Sequence, residues 1–219
     1  MTVRHRDDIY TIGPPAAEPH PELLAFADEY AGSEVLDVGC GTGAYTARLA
    51  ELGRTATGIE LNPEYVARAR ERGVDARVVD AGRIPFDDDS FDTAILFEVI
   101  EHIPGYEDVV REAFRVARRN VLITVPNVGE YEHLERYGLT YWHMVTTDHV
   151  NFFSPEDLQR LGADLGARTS VRRAEPLVPG ALLTPRRPLW FAVSALRRLG
   201  VVKPVAYRRL HAVLEKPRR

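Results

Sequence analysis

Short apolar runs alternate along this chain with stretches whose apolar residues recur every three or four positions. Val35 to Val38, Thr55 to Leu61, Ala76 to Val79, Phe91 to Phe97, Asn120 to Val125, Arg168 to Ala174 and Ala206 to Leu214 read as seven strands. The Phe91 run is apolar without a break from Ala94 to Phe97, as expected of a central strand covered on both faces. Between the runs, Pro21 to Tyr30, Ala44 to Leu52, Pro63 to Arg72, Glu107 to Arg118 and Pro155 to Leu165 read as helices. Val109, Val110, Ala113, Phe114 and Ala117 share one face of the fourth. Asn62-Pro63 and Ser154-Pro155 are helix starts, a capping side chain followed by proline in the first turn. Asp157, three residues past Ser154, completes a capping box in place of the usual Glu. Alternating strands and helices with right-handed crossovers predict an α/β fold, a doubly wound sheet covered on both faces.

Three stretches fall outside this alternation. Met1 to Pro19 is polar and proline-rich and reads as an irregular N-terminal arm, up to residue 20. Gly129 to Asn151 is long, irregular and rich in Tyr, Trp and His, the profile of a functional loop. Glu175 to Pro204 reads as a proline-rich insertion between the last two strands, with a short apolar helix at its end.

At 219 residues, with 45% apolar and 27% charged content, the chain is expected to form a single soluble domain over residues 1–219. The single cysteine, Cys40, excludes an internal disulfide and points to a reducing, cytoplasmic compartment. Met1 to Asp8 is polar with no apolar core after it, so no signal peptide is expected. The longest apolar candidate, Pro188 to Leu196, is far short of the ~20 residues of a bilayer span. Charge is uneven. Residues 172–219 carry twelve Lys/Arg and two Asp/Glu, whereas the first 171 carry sixteen and thirty. This asymmetry points to an anionic partner for the C-terminal part. Leu182, Leu183, Leu189, Trp190, Phe191, Val193 and Leu196 interleave with its arginines, as in a segment peripheral to an anionic membrane. RNA is the competing partner, with fewer stacking aromatics to support it.

The organising stretch is Val35-Leu36-Asp37-Val38-Gly39-Cys40-Gly41-Thr42-Gly43. A buried strand turns through three alternate glycines into a helix, which lets a ligand approach the backbone closely. The spacing is G-x-G-x-G, not the G-x-G-x-x-G of dinucleotide sites, and Asp37 sits two residues before the first glycine. Glu60 ends the second strand seventeen residues past Gly43, where a doubly wound nucleotide site places a carboxylate on the ribose. Cys40 sits within the loop, where a small residue is needed more than a nucleophile.

The loop resembles that of the class I S-adenosylmethionine-dependent methyltransferases. Pro85-Phe86 followed by Ser90-Phe91-Asp92 resembles a later block of the same family, and the likeness runs from about Ser33 to Leu165. It implies a Rossmann-like seven-stranded sheet, mostly parallel, with an antiparallel last strand. It implies S-adenosylmethionine as cofactor, with Asp37 on its amino group and Gly39, Cys40 and Gly41 around its methionine end. Glu60 is then placed on the ribose, Asp80 and Ala81 at the adenine, and Phe97 beside the same pocket. An arm like Met1 to Pro19 closes over the cofactor in similar enzymes, which would bring Tyr10 to it.

Glu98-Val99-Ile100-Glu101-His102 follows the fourth strand, and Asp148-His149 lies in the long loop. A turn of helix would put 98, 101 and 102 on one face. Glu98, Glu101, His102 and His149 make a candidate site for Mg²⁺, Mn²⁺ or Zn²⁺. Without a metal, His102 or His149 is the candidate base, and Glu98 can bind the acceptor. His133 and His143 are weaker candidates. The ubiquinone-biosynthesis O-methyltransferases carry a similar Glu-x-x-Glu-His, as do enzymes that 2′-O-methylate the 3′ end of small RNAs. The leading expectation is O-methylation of a small-molecule or lipid-linked hydroxyl, such as a phenol, quinol or sugar. RNA 3′-terminal 2′-O-methylation and a non-catalytic cofactor-binding partner protein are the alternatives.

Overall fold

A computed structural model describes residues 17–129, 149–177, 195–196, 199–201, 203–204 and 206–217. Its elements follow in the order α1 (Pro21–Tyr30), β1 (Glu34–Val38), α2 (Ala44–Glu51), β2 (Thr55–Glu60), α3 (Pro63–Glu71) and β3 (Asp75–Val78). Then come β4 (Phe91–Phe97), a 3₁₀ turn (Ile100–His102), α4 (Tyr106–Val116) and β5 (Ala117–Pro126). The chain closes with α5 (Pro155–Asp164), β6 (Arg168–Leu177) and β7 (Ala206–Glu215). The sheet order is β3-β2-β1-β4-β5-β7-β6, and β7 alone runs against the rest. The expected seven-stranded, mostly parallel sheet with its antiparallel last strand is therefore present.

Strand order reverses between β1 and β4, which are direct neighbours. Successive crossovers leave that point in opposite directions, so a crevice opens at the carboxyl ends of these two strands. The helices divide between the two faces. Val109, Val110 and Ala113 of α4 and Leu158 and Leu161 of α5 pack with Leu36, Leu96 and Ile123 on one side. Leu23, Phe26 and Ala27 of α1 and Leu49 of α2 pack with Val35, Ile95 and Leu122 on the other. Each fully buried Val, Leu, Ile or Phe among them contributes about 1.5–3 kcal/mol. Helix starts follow the expected chemistry. The Asn62 side chain accepts the Glu64 N–H at 2.9 Å. Ser154 and Asp157 form a reciprocal capping box.

Two junctions differ from expectation by more than one residue. The fourth helix stops at Val116, not Arg118, and β5 begins at Ala117, not Asn120. Ala117 pairs with Phe91 across the sheet, and Arg118 reaches Asp92 and Glu34. These contacts hold the first residues of β5 extended, against a local sequence that continues the helical pattern. The second difference is in β6, which runs on to Leu177, with Pro176 opposite Tyr207 and Leu177 opposite Ala206. Residues 175–177 are thus strand, not insertion. The rest of the arm with Tyr10, the loop with His133 and His143, and residues 178–194 lie outside the described residues.

Candidate active site

The glycine loop is tied to the next strand by its backbone. Gly39 N–H and Cys40 N–H both donate to the Ile59 carbonyl, at 2.8 and 3.0 Å. Gly39 has φ 74°, and a Cβ there would lie 2.8 Å from Cγ2 of Val99. The loop is therefore pressed against the segment that follows β4, and only glycine fits the turn. Glu60 is buried at the end of β2. Its Oε2 accepts the Gly41 N–H at 3.1 Å and its Oε1 accepts the Asn62 N–H at 2.9 Å. The carboxylate assigned to a ribose thus shapes the glycine loop directly.

Asp37 is 3% exposed and accepts the Thr46 hydroxyl at 2.6 Å. Burial pushes its carboxyl up to about 6, the Thr46 bond opposes the shift, and the nearby Glu60 adds to it. A carboxyl buried in this way is held in its charged form by a cation beside it. Burial, then Asp37 and Glu60, push the Cys40 thiol well above its ordinary range, so it is no nucleophile at neutral pH. Its Sγ packs where a Cβ on Gly58 would fall. Phe97 is buried between Phe26 and Tyr45, with ring centroids 5.9 and 5.3 Å away. Ala81 packs at the margin of the apolar cluster under α4. Asp80 turns its Oδ1 back onto the Gly82 N–H at 2.9 Å, the Asx turn expected of a loop aspartate.

The residues after β4 do not form one helical face. Glu98 has φ 56°, and only Ile100–His102 make a 3₁₀ turn. Ligand atoms of Glu101, His102 and His149 lie within 4.8 Å of one another. The two imidazoles meet edge to face at 4.7 Å. The loop carrying His149 is stapled onto the turn. Val150 and Asn151 N–H groups donate to the Glu101 carbonyl at 2.8 and 3.0 Å, and Asn151 Nδ2 donates to the Ile100 and Ile103 carbonyls at 2.8 Å.

Glu98 does not join this cluster, which corrects the four-residue expectation. Its Oε2 accepts from Arg209 Nε at 3.0 Å. Ala94 and Leu96 of β4 face the α4 side, while Ile95 and Phe97 face the α1 side. Continued alternation would send Glu98 to the α4 side. The left-handed turn sends it the other way, to Arg209 on β7. Glu175 repeats the device on β6, with φ 54° and an ion pair to Arg209 on the same side. A left-handed conformation at a non-glycine residue costs on the order of 1–3 kcal/mol, and these two are spent on one guanidinium. His20 Nε2 and Arg208 Nε lie 3.5 and 3.9 Å from the Glu175 carboxylate. Thr46, Asn151, Glu175 and Arg209 carry no sequence signal that singles them out. Arg209 is 111 positions from Glu98, and only sheet order makes them neighbours.

Residues 36–125 match the family model described as a methyltransferase domain. A methyltransferase, GfsG, of Streptomyces halstedii is 36% identical over 74% of this chain and 64% of its own length. A ubiquinone biosynthesis O-methyltransferase of Xanthomonas oryzae is 35% identical over 41% of each chain. The chain thus spans less than two thirds of these relatives. A solved S-adenosylmethionine-dependent methyltransferase of Archaeoglobus fulgidus superposes with a TM-score of 0.65, covering 89% of this chain and 93% of that one at 16% identity. The chain belongs to the class I S-adenosylmethionine-dependent methyltransferases. The cofactor of that family is S-adenosylmethionine, and the loop fits it. Asp37, buried and pushed toward its neutral form, matches a cationic amino group, and the cradle at Gly39 leaves no room for a side chain.

Proposed function

We propose that this protein transfers the methyl group of S-adenosylmethionine to a hydroxyl of a small-molecule or lipid-linked acceptor. The observation that carries this reading is the meeting of Glu101, His102 and His149 beside Val99, which packs on the glycine loop. A neutral hydroxyl is a poor nucleophile and needs a proton acceptor or a cation beside it. His102 and His149 supply the acceptor, and the buried Glu101 balances the imidazolium that forms. The same three groups fit a divalent cation of the Mg²⁺, Mn²⁺ or Zn²⁺ kind. When bound, the cation would lower the acceptor hydroxyl's pKa. The rest of the rate comes from holding the acceptor in line with the methyl group. The O-methyltransferase named among the relatives supports this reading.

The test is a methyl-transfer screen with labelled cofactor against phenolics, quinols, sugars, a lipid extract and small RNA. EDTA-treated protein is assayed with and without Mg²⁺, Mn²⁺ and Zn²⁺. Label in the phenolic, quinol, sugar or lipid fraction supports the reading. Label in RNA alone makes the protein an RNA 2′-O-methyltransferase. Cofactor binding without turnover on any fraction makes it a binding partner protein. Full activity in the metal-free sample removes the cation and leaves His102 as the base.

We also infer that the basic C-terminal part rests on an anionic lipid surface, with the protein otherwise cytoplasmic. Its support is the charge asymmetry and the arginines of the edge strand, Arg168, Arg172 and Arg173, all exposed. Among the described residues no helix is long and apolar enough to cross a membrane.

A further inference from the structure

Arg209 is bracketed by two carboxylates that reach it through the same backbone device. Glu98 and Glu175 are two of the three non-glycine residues with positive φ among the described residues. In each strand the alternation of faces would carry the carboxylate to the α4 and α5 side. For β6, Val171 packs on that side while Arg172 lies over Phe26 of α1, so residue 175 in register belongs with Val171. The left-handed turns bring both to the α1 side. Arg209 is on that side too, since His211, two residues along β7, stacks on Phe26 at 4.5 Å.

In an extended conformation Glu98 would point to the α4 side, where Val99, Ile100 and Ile103 of the turn that carries Glu101 and His102 pack. Arg209 supplies a fixed positive charge that competes for Glu98. It is only 19% exposed, and Glu175, 10% exposed, holds it from the far side. Glu98 Oε1 is buried without a hydrogen bond among the described residues, so Arg209 is the contact that holds this carboxylate. We propose that Arg209 is a positioning residue that keeps Glu98 out of the neighbouring cation site and so limits that site to three protein ligands. The proposal rests on the cation reading of Glu101, His102 and His149. Remove the guanidinium, and the left-handed turn at Glu98 loses its partner. The strand can then relax to its regular alternation, which delivers a fourth ligand.

The probe is Mn²⁺ alone, titrated into the full chain and followed by electron paramagnetic resonance of the free ion. Arg209→Gln should bind Mn²⁺ about tenfold tighter than wild type or more, about 1.4 kcal/mol. Arg209→Lys keeps the charge and should stay within about twofold of wild type. Glu98→Gln alone should also stay within about twofold, because Glu98 is not a ligand in the native site. Glu98→Gln combined with Arg209→Gln should lose most of the gain. Glu175→Gln, which only loosens Arg209, should shift affinity the same way by a smaller factor, and it decides the matter if Arg209→Gln fails to fold. The proposal is overturned if Arg209→Gln, or in its place Glu175→Gln, binds no tighter than wild type. It is equally overturned if Glu98→Gln alone weakens binding tenfold. Wild type that fails to bind millimolar Mn²⁺ withdraws the three-ligand site. The role of Arg209 is then still read from whether Arg209→Gln gains binding.

Discussion

Glu60 Oε2 accepts the Gly41 N–H at 3.1 Å, so the end of β2 holds the cofactor loop in shape. A charge-assisted bond of this kind is worth about 1.5–3 kcal/mol, and Glu60 makes another to Asn62. Glu60→Ala should weaken S-adenosylmethionine binding at least about tenfold in isothermal titration. Unchanged affinity would remove Glu60 from both the loop and the ribose.

Asp37 links cofactor binding to pH. Its carboxyl is raised from 3.8 to about 6, chiefly by burial. The folded state therefore holds the proton more tightly than the unfolded state. Stability from this group is present at low pH and is lost as pH rises through about 6, a penalty of about 3 kcal/mol at neutral pH. Asp37→Asn should raise the melting temperature of the cofactor-free protein at pH 7 by on the order of 5 °C. The same substitution should weaken S-adenosylmethionine binding, and wild-type affinity should fall as pH drops below about 6. A variant that melts lower and binds equally well would contradict both expectations.

His211 has the opposite sign. It is 2% exposed, and burial, then Arg172, Arg209 and His20, lower its pKa from 6.5 to about 4, with Glu29 opposing. The unfolded chain takes up this proton first. Stability is intact above pH 6.5 and is lost as pH falls toward about 4, by about 3 kcal/mol. Between pH 4 and 6 the two groups nearly cancel. Melting curves of Asp37→Asn should therefore fall steeply with acid in that window, and those of His211→Phe should rise. Parallel pH profiles for the two variants and wild type would refute the opposition.

The basic C-terminal part should bring the protein down with vesicles containing anionic lipid, and high salt should release it. Equal sedimentation with neutral vesicles, or binding that survives high salt unchanged, would assign the charge to packing or to another protein.

Much of the molecule was decided locally. Apolar runs and helical periodicity are set by the residues themselves, so seven strands and the capped helices at Asn62 and Ser154 could be read in order. The glycine loop was legible for the same reason: Asp37, Gly39 and Gly41 lie at alternate positions of one short stretch, and the turn leaves few residues that fit. Where a neighbour overrode local preference, reading failed. Ala117 and Arg118 continue a helical pattern, yet pairing with Phe91 and Asp92 makes them strand. The same limit split the chemistry after β4. Spacing put Glu101 beside His102 and composition singled out His149, whose ligand atoms the fold brings within 4.8 Å of one another, but Glu98 was grouped with them because the helical pattern assigned it that face. Its direction is fixed by a guanidinium 111 residues away, on the one strand that runs backwards. A side chain's type is written in the sequence, whereas its partner across the sheet depends on strand order and backbone angle, and those exist only once the whole sheet has assembled.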